Sequence, residues 1–530
     1  MGVLFDECAD RRDSPRVHLD RPFDIAPQGG TCYEAPDLAV LVRQAAGWLA
    51  AAGAGRGDRV AIVKENHWDY DLLACAAIRL GAVPAQLSAQ LPPDSVELLL
   101  KRLEPAVLVS TSAVLGAAGA QGTDLVAFAR STVVLDGDDP GAAVPGTASL
   151  SELHGQDAPA PRRRDGDAPL VINHTSGTTG VPKLVVHSTR TIVGELARFE
   201  AMPLPKIGVG RDDTVLNANS FAHGRTFCWT GVVMSMAPRE LVVLGDQDPD
   251  RADPLLRAHP PTIVEALPST YVRFRPLTDR LDNPFRRTRL FISTYDAVHP
   301  PTIRAYLGAT ARRGPVWMQG WGQTETGPLT FRFHTRRSLH DSPGCGKTRD
   351  VGRPVPFKTR LRVVDPDTFE PVRRGRPGLV LARTAARCQD YAGESGRWAA
   401  KRHGDWWNTG DIGMRTRTGS VLLLDREVDR VPELSCLETE DVLEDRLPVA
   451  QECVVLGRPD APPLPVVVTV DGRLSGAAWR RATRGLPPMQ EPVALTWDRV
   501  PRTGTGKVRR LELLEQLTGS TDTAGSGRWT

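Results

Sequence analysis

The sequence contains Thr175-Ser176-Gly177-Thr178-Thr179-Gly180-Val181-Pro182-Lys183, a loop rich in glycine and hydroxyl side chains that ends in a lysine. Glycines allow backbone N–H groups to turn toward an anion, and the hydroxyls add further donors. Lys183 adds a positive charge suited to phosphate. The spacing differs from that of a P-loop, and a strand-like run follows where a P-loop opens a helix. The loop predicts a phosphate site, although a hairpin loop of small residues would have a similar composition.

The regions on both sides of this loop predict an α/β fold. Short apolar runs, Pro169–Asn173 and Lys183–His187, are predicted strands. Upstream, helix-like and strand-like stretches alternate in the order Leu38–Ala52, Val60–Val63, Asp69–Gly81 and Val83–Leu87. This alternation is typical of parallel sheet covered by helices, and further βα units are expected over 214–320.

The predicted secondary structure changes at two positions after these units. From residue 351, short strands with Gly/Pro turns predict a β-rich subdomain, for example at Leu361–Val364 and Gly378–Leu381. From Asp425, short α+β elements predict a separate unit whose tail, 519–530, is expected to be disordered. The expected organisation is a large N-terminal domain over 1–424, made of βα subdomains and the β-rich subdomain, and a small α+β domain over 425–530.

Bulk properties exclude several classes of protein. The 530 residues carry 66 basic and 63 acidic side chains, so the net charge of +3 provides no field for nucleic acid or an anionic membrane. No apolar run has the length of a membrane span, and the start lacks a signal-peptide core, so a cytoplasmic location is expected. The 8 cysteines include no C-x-x-C pair, which favours free thiols over zinc sites or disulfides.

Further motifs follow the loop in a fixed order. They are Trp321-Gly322-Gln323-Thr324-Glu325, Val351-Gly352-Arg353-Pro354, Asn408-Thr409-Gly410-Asp411, Leu424-Asp425-Arg426-Glu427-Val428-Asp429 and Pro501-Arg502-Thr503-Gly504-Thr505-Gly506-Lys507-Val508-Arg509. Each alone could be a turn, a strand end or a solvated basic loop. Their common order resembles the ANL superfamily of adenylate-forming enzymes, which includes acyl-CoA synthetases, peptide-synthetase adenylation domains and luciferases. The resemblance extends over about residues 30–515.

This resemblance implies ATP and Mg²⁺ as cofactors and assigns a role to each motif. Lys507 would stabilise charge as a carboxylate attacks the α-phosphorus, Thr324 would donate to the α-phosphate, and Glu325 would hold Mg²⁺. The C-terminal domain is expected to be mobile, rotating near Arg426 between two half-reactions. The residues expected to bind the nucleotide are Thr175, Ser176, Gly177, Thr178, Thr179, Gly180, Lys183, Asp296, Trp321, Gly322, Gln323, Asp411 and Arg426. Of these, the resemblance places Asp411 and Arg426 on the ribose.

The predicted substrate pocket departs from the family pattern. Where a Gly-Gly-Ala-like turn is usual, the sequence has Ser293-Thr294-Tyr295-Asp296-Ala297, and its bulkier side chains should reshape the pocket. Asp296 would contact adenine or a substrate amine, or would only form the turn. His223 would lie near the substrate carboxylate, and Arg225 would either hold a second anionic group or form an outward salt bridge. The predicted substrate residues are His223, Gly224, Arg225, Tyr295 and Gly320.

The reaction implied is activation of a small carboxylic acid to an acyl-AMP with release of pyrophosphate. The segment after Ser220 has no Asp to pair an α-amine, which favours an aromatic or other non-α-amino acid. Transfer to coenzyme A is the favoured second step. Because 431–438 lacks the glycines of a thiol tunnel, other acceptors stay open: a carrier-protein thiol, an amine, or nitrite as in ATP-dependent diazotases. A non-catalytic nucleotide-binding homologue is a further alternative, and the sequence indicates no particular oligomeric state.

Overall fold

The structure is a computed structural model that describes residues 1–11, 13–139, 143–153, 155, 158–175, 182–340, 348–426, 435–458 and 461–519, with backbone only at His340, Asp425 and Arg426. Within these ranges the chain forms two large β-sheets and a three-stranded sheet, together with helices. The mixed α/β fold confirms the predicted class. None of the helices described is both long and apolar enough to cross a lipid bilayer.

The first 153 residues alternate helices and strands. The elements are α1 (Leu4–Ala9), β1 (Arg16–Leu19), β2 (Cys32–Tyr33), α2 (Ala35–Ala51), β3 (Arg59–Lys64), α3 (Asp69–Arg79), β4 (Val83–Ser88), α4 (Pro93–Leu103), β5 (Val107–Ser110), α5 (Ser112–Gly119), β6 (Ser131–Val134), β7 (Ala148–Ser149) and α6 (Leu150–Leu153). A 3₁₀ helix covers Val126–Phe128.

The middle of the chain continues this alternation. It comprises β8 (Pro169–His174), β9 (Leu184–Ser188), α7 (Arg198–Glu200), β10 (Thr214–Ala218), α8 (Gly224–Met236), β11 (Glu240–Val243), α9 (Pro249–Ala258), β12 (Ile263–Ala266), α10 (Pro268–Phe274), β13 (Leu290–Ser293), α11 (Pro300–Ala309), β14 (Val316–Gln323), β15 (Gly327–His334) and α12 (Arg336–His340). A π-helix covers Thr189–Ala197, and 3₁₀ helices cover Arg275–Asp279 and Pro284–Arg287.

The last third is first β-rich and then mixed. It contains β16 (Asp350–Pro354), β17 (Thr359–Val364), β18 (Pro377–Thr384), β19 (Asp390–Tyr391), α13 (Ser395–Ala400), β20 (Arg402–His403), β21 (Trp406–Arg415), β22 (Val421–Arg426), α14 (Cys436–Arg446), β23 (Glu452–Leu456), β24 (Leu464–Val468), α15 (Gly476–Ala482), β25 (Val493–Leu495) and α16 (Arg510–Thr518). A 3₁₀ helix covers Trp497–Arg499.

The larger sheet is parallel in its middle and changes to antiparallel pairing on both sides of that stretch, at β14–β15 and at β1–β2. Its order is β17-β18-β21-β22-β16-β15-β14-β13-β12-β10-β11-β1-β2. Strands β11, β10, β12, β13 and β14 are mutually parallel, whereas β14 and β15 form an antiparallel hairpin. Because parallel strands end at the same edge of a sheet, the residues that follow β10 and β13 come close to the end of β14.

The second sheet carries the predicted phosphate loop at a similar change of direction. Its order is β19-β9-β8-β4-β3-β5-β6-β7. Strand β8 pairs in parallel with β4 and antiparallel with β9, and the loop of the opening motif connects β8 to β9. Strand β19 comes from the β-rich region and pairs with β9, so the two sheets are joined by the chain near residue 390.

The apolar core also follows the sequence pattern. Every residue of α3 is buried, because this Ala-rich helix packs among α2, α8 and the sheet strands. Some strands are also buried along their whole length. One is β24, with the sequence Leu-Pro-Val-Val-Val, whose β-branched side chains fit a sheet covered on both faces. The described part of 435–519 has its own three-stranded sheet, β23-β24-β25, with two apolar clusters of its own.

Most predicted elements are confirmed within one to three residues at each end, including the helices near 38–52 and 69–81 and the strands near 60–63, 83–87 and 169–173. The β-rich region after 351 is present as β16 to β22. The domain boundary at 424/425 stays a prediction; it falls inside β22, which pairs with β21 as far as Arg426. Most of the tail predicted to be disordered lies outside the described residues.

Candidate active site

A cavity of about 1050 Å³ extends between the two large sheets and the C-terminal loop 501–509. Most of the predicted site residues line it: Thr175, Lys183, His223, Gly224, Arg225, Tyr295, Gly320, Trp321, Gly322, Gln323, Thr324, Glu325 and Lys507. Asp296 and Asp411 are not among its lining residues. Ser176, Gly177, Thr178, Thr179 and Gly180, and the side chain of Arg426, lie outside the described part of the chain.

Lys507 enters the cavity from a tight C-terminal turn. The N–H of Thr503 donates to the carbonyl oxygen of Lys507 at 2.8 Å, and the N–H of Lys507 donates to the Thr503 hydroxyl at 3.2 Å. Gly506 has φ of 74°, and a Cβ there would lie 1.9 Å from the Ser269 hydroxyl oxygen on α10. Glycine therefore lets the loop dock closely enough for Lys507 to line the cavity.

Ionic contacts hold the C-terminal region in this docked position. His299, just before α11, has Nδ1 2.6 Å from an oxygen of Asp441 on α14 and Nε2 3.5 Å from an oxygen of Glu444. Arg304 pairs with Asp445 on the same two helices. Burial opposes a charge on His299, but Glu444 and Asp441 outweigh it and raise the pKa of His299 to about 10. At neutral pH this imidazolium binds the two parts of the chain together.

Glu325 is a buried carboxylate surrounded by cationic and hydroxyl groups. The Tyr391 hydroxyl donates to Glu325 Oε1 at 2.6 Å, and the Lys183 ammonium lies 5.8 Å from the centre of the Tyr391 ring. Burial favours the neutral acid, but Lys401, Tyr391 and Lys183 outweigh it and lower the pKa of Glu325 below its usual value. The ionised carboxylate of Glu325 suits a divalent cation, and the neighbouring Lys183 and Lys401 suit polyphosphate.

His223 and Thr324 form a neutral hydrogen-bonded pair in the cavity wall. His223 precedes α8, and its Nδ1 accepts a hydrogen bond from the N–H of Arg225 at 3.1 Å. Its Nε2 therefore carries the proton and lies 3.3 Å from the Thr324 hydroxyl oxygen. Burial, with His174 and Lys507 next, lowers the pKa of His223 to about 3, so it is a hydrogen-bond donor without charge at neutral pH. His187 Nε2 lies 2.8 Å from the carbonyl oxygen of Thr324 and fixes that turn.

Gln323 connects the β14–β15 hairpin to the predicted ribose residues. Its side-chain amide donates to the carbonyl oxygen of Thr409 at 2.6 Å and lies 3.2 Å from an Asp411 carboxylate oxygen. Asp411 and Arg426 are direct cross-strand partners on β21 and β22. Sheet register thus brings the two residues predicted to bind ribose side by side, and Gln323 places them next to the cavity.

The turn after β13 keeps a backbone conformation that favours glycine, although its sequence departs from the Gly-rich pattern. Tyr295 has φ of 78°, a conformation that favours glycine and costs other residues about 1–2 kcal/mol. Its ring centre lies 4.6 Å from that of His223, and its side chain lines the cavity, as predicted for a substrate residue. Asp296 is exposed, and its side chain accepts a hydrogen bond from the N–H of Ala297 at 3.0 Å, which is a turn-forming contact.

Arg225 lines the cavity, and its guanidinium is paired with two carboxylates. Its Nε and Nη2 donate to both oxygens of Glu265 at 2.7 and 2.8 Å, and its Nη1 pairs with Glu200. The structure therefore supports neither an outward salt bridge nor an unpaired receptor for a second anion. The segments Thr189–Ala197 and α7 to α8 surround this cluster with apolar lining residues such as Phe199 and Trp229.

Several residues of this site were not predicted from sequence. Glu200, Glu265, Lys401, Tyr391 and His187 belong to no motif, and they come from different elements. Only Glu265 among these five could have been suspected from the sequence. It is a single acidic residue in the apolar strand Ile263–Ala266, and a buried acid usually has a buried partner. Tertiary packing brings Glu200, Lys401 and His187 to the cavity wall, and it brings Tyr391 to Glu325 behind that wall.

Comparison with known proteins identifies the family. The family model described as AMP-binding enzyme matches residues 15–391. The chain belongs to the AMP-binding enzyme family. It is accordingly an adenylate-forming enzyme of the ANL superfamily, as the motifs predicted.

Individual relatives of this AMP-binding enzyme carry the names of different reactions. It is 37% identical to the 3-amino-2-hydroxy-4-methoxybenzoate diazotase of Streptomyces cremeus, over 98% of this chain and 96% of that protein. It is 27% identical to the 4-hydroxybenzoate–CoA/benzoate–CoA ligase of Rhodopseudomonas palustris, over 95% and 92% of the two chains. A solved anthranilate CoA ligase in complex with anthranoyl-AMP has a TM-score of 0.80, 20% identity and coverage of 97% and 96%, a likeness in fold.

Proposed function

We propose that this protein is an ATP-dependent diazotase, which adenylates nitrite and transfers its nitrosyl group to the amine of an aromatic acid. The observation that carries the proposal is the 37% identity to a diazotase over nearly the whole of both chains, compared with 27% to an aryl-CoA ligase. A cavity that joins Lys507 and Glu325 to a largely apolar region large enough for an aromatic ring supports it.

The nucleotide end of the cavity is equipped for the adenylation step. We infer that Lys183 and the loop from Thr175 bind the β- and γ-phosphates, and that Asp411 and Arg426 bind ribose. Glu325 would hold Mg²⁺, which when bound offsets phosphate charge. Thr324 and Lys507 face the α-phosphate and stabilise the charge that develops there, so positioning and electrostatics supply most of the acceleration. Nitrite is an anion at neutral pH, and no general base is required for its attack.

The atom balance of diazotisation decides which group is adenylated. A nitrite oxygen attacks the α-phosphorus and pyrophosphate leaves, which gives a nitrosyl ester of AMP. The amine nitrogen then attacks the nitrosyl nitrogen, the N–O bond to AMP breaks, and a proton is lost. Loss of water with one proton taken up converts the N-nitroso product to the diazonium ion. From the sequence, nitrite was an alternative acceptor; in this balance nitrite is the attacking anion and the amine is the acceptor.

A second candidate is the aryl-CoA ligase that the sequence analysis favoured. Its support is the 27% identity to a benzoate-activating CoA ligase over most of both chains. In that reaction the carboxylate of the aromatic acid attacks the α-phosphorus. The thiol of coenzyme A, with a pKa of about 8.5 like a free cysteine, then attacks the acyl group as a minor thiolate.

One experiment separates the two candidates. AMP release is measured with ATP, Mg²⁺ and a panel of aromatic acids with and without an amine, each with nitrite, with coenzyme A, or with neither. The diazotase releases AMP only when nitrite and an aromatic amine are both present, and its diazonium product couples to a phenol to give a coloured azo compound. Release of AMP that requires coenzyme A and is indifferent to nitrite, with a thioester detected by mass, would overturn the proposal. Lys507→Ala serves as the control for uncatalysed diazotisation.

A further inference from the structure

A short helix that belongs to none of the sequence motifs lies against the nucleotide end of the cavity. This helix, α13 (Ser395–Ala400), follows β19, and β19 pairs antiparallel with β9. The N–H of Ala392 donates to the carbonyl oxygen of Leu184 at 2.8 Å, directly after Lys183. Because antiparallel strands run in opposite directions, the residues that follow β19 pass the end of the predicted phosphate loop. Sheet register therefore carries α13 to that loop.

Ion pairs fix the first turn of α13 beside the loop. Arg102 on α4 donates to Glu394 Oε2 at 2.9 Å and to the carbonyl oxygen of Pro182, in the loop, at 3.5 Å. The other carboxylate oxygen of Glu394 accepts a hydrogen bond from Arg397 on α13 at 3.2 Å. One carboxylate is thus shared by two guanidinium groups, and the three side chains together keep a positive charge next to the loop.

Two cations of this helix line the cavity. Residues four apart on a helix are neighbours, and Lys401, which ends α13 in a helical conformation, follows Arg397 by four. Lys401 is 8% exposed, and its ammonium lies 5.8 Å from the centre of the Trp407 ring. A largely buried ammonium is costly unless negative charge lies near it, and Glu325 supplies one such charge. The fold therefore places a cationic face of α13 in the cavity wall.

Positive charge is in excess among the described residues that line this end of the cavity. The cationic side chains are Lys183, Arg397, Lys401 and Lys507, and the carboxylate among them is Glu325. The two other lining carboxylates, at the substrate end, pair with an arginine of their own. Burial raises the pKa of Glu325, but Lys401, first among the neighbouring groups, lowers it. Several cations around one carboxylate suit a polyphosphate, which carries several negative charges.

We propose that Lys401 and Arg397 bind the β- and γ-phosphates of ATP and then the pyrophosphate that leaves. Lys183, at the end of the phosphate loop, is the neighbouring cation, so the loop and α13 hold the polyphosphate between them. AMP lacks these two phosphates, and the two side chains on α13 therefore distinguish ATP from AMP. Both candidate functions share this adenylation step, whether nitrite or a carboxylate attacks the α-phosphorus.

The test compares the binding of ATP with the binding of AMP. Dissociation constants are measured by calorimetry with the full-length enzyme and Mg²⁺, without aromatic acid, nitrite or coenzyme A, so that no turnover occurs. Lys401→Met keeps an unbranched side chain and should weaken ATP by about tenfold or more, the size of a charge-assisted hydrogen bond, while AMP stays within about twofold. Arg397→Gln should weaken ATP by several-fold and leave AMP unchanged. Equal losses of ATP and AMP in Lys401→Met, or no loss of ATP, would overturn the inference.

Two further variants show whether the placement of the charge is responsible. Lys401→Arg restores a cation and should recover most of the ATP affinity that Lys401→Met loses. Arg402→Gln removes the next cation along the chain, an exposed side chain that lies 5.0 Å from the centre of the Trp398 ring and does not line the cavity. It should leave both dissociation constants near their wild-type values. A loss of ATP affinity as large as that of Lys401→Met would assign the effect to net charge and overturn the contact.

A second comparison separates direct contact from an effect through Glu325. If Lys401 served only to neutralise Glu325, Lys401→Met would cost no ATP affinity once Glu325→Gln had removed that charge. Direct contact with the phosphates predicts that Lys401→Met still weakens ATP relative to AMP in the Glu325→Gln background. An ATP-to-AMP ratio that no longer changes in that background would overturn the contact. Retained AMP binding shows that each variant keeps a folded nucleotide site.

The outcomes for α13 and for the proposed function are distinguishable. Binding is measured without nitrite and without turnover, so an enzyme that forms only CoA thioesters would overturn the diazotase and leave the role of α13 standing. Nitrite-dependent turnover in an enzyme whose ATP-to-AMP ratio is unchanged by Lys401→Met would do the reverse. A wild-type enzyme that binds neither ATP nor AMP would overturn both.

Discussion

The two ends of the cavity are built in different ways. At the nucleotide end, Lys183, the run Trp321–Glu325 and Lys507 each come from a short contiguous motif. At the substrate end, Glu200, Arg225 and Glu265 come from three elements and share no motif. The first end gathers cations around one buried carboxylate, whereas the second places two carboxylates around one cation.

This difference separates the chemistry that a family shares from the selectivity of one protein. The nucleotide is common to the AMP-binding family, so the same local motifs can serve it in different members. The substrate varies, and its contacts are supplied by whichever elements pack around the ring. Variants at the nucleotide end should therefore reduce turnover with every substrate, and variants at the substrate end should change the ranking of substrates.

The largest effect is expected from Lys507→Ala. Removing the ammonium removes a charge that stabilises the transition state, so adenylate formation should fall by about 10²–10³-fold with ATP binding largely kept. Exchange of labelled pyrophosphate into ATP measures the first quantity, and calorimetric titration with ATP measures the second. Arg499→Ala, which removes an exposed cation eight residues earlier, is the control and should leave exchange near the wild-type rate. Exchange at a normal rate in Lys507→Ala would contradict the role given to this end.

An intermediate effect is expected from Glu325→Gln. The amide cannot supply the ionised oxygen that a divalent cation prefers, so about 10–100-fold more Mg²⁺ should be needed for half-maximal activity. Tyr391→Phe removes only the 2.6 Å hydrogen bond to Glu325 and should shift the requirement by less than about tenfold. The measurement is a Mg²⁺ titration of pyrophosphate exchange. If both variants raise the required Mg²⁺ concentration equally, Glu325 supports the structure of the site and does not bind the cation.

A smaller, pH-dependent effect is expected from His299→Asn, which acts on the contact that brings Lys507 to the cavity. The docked pKa of His299, raised to about 10, exceeds the usual 6.5, so its stabilisation of docking is complete below pH 6.5 and is lost as the pH rises through about 10. The variant should be slower than wild type by about tenfold or less at pH 6.5. The ratio of the two exchange rates should approach one near pH 10.

The control for this profile is His403→Asn, at an exposed histidine on β20 outside the contact. It should follow the wild-type profile at every pH. A constant ratio between wild type and His299→Asn from pH 6.5 to 10 would show that the charge of His299 has no part in docking. In that case Arg304 and Asp445 would be the contact to alter next.

The fold class, the order of most elements and the motif residues that line one end of the cavity could be predicted from the sequence alone. The periodicity of strands and helices depends on residues that are close in sequence, and a motif such as Trp321–Glu325 is a contiguous run. Both can therefore be recognised from the sequence without the fold. The expectation that bulkier side chains of the 293–297 turn reshape the pocket came from the sequence and stays a prediction; the structure places Tyr295 in the cavity lining.

The contacts of Arg225 could be read only from the folded chain, because its partners lie 25 and 40 residues away and no periodicity links them. The same holds for Tyr391 on Glu325 and for His299 on Asp441, which are 66 and 142 residues apart. A charged side chain has nearly the same local propensity whether it meets water, a counter-ion or a ligand. Its role is fixed by the charge and burial of groups that the fold brings beside it, and those are properties of the packed chain.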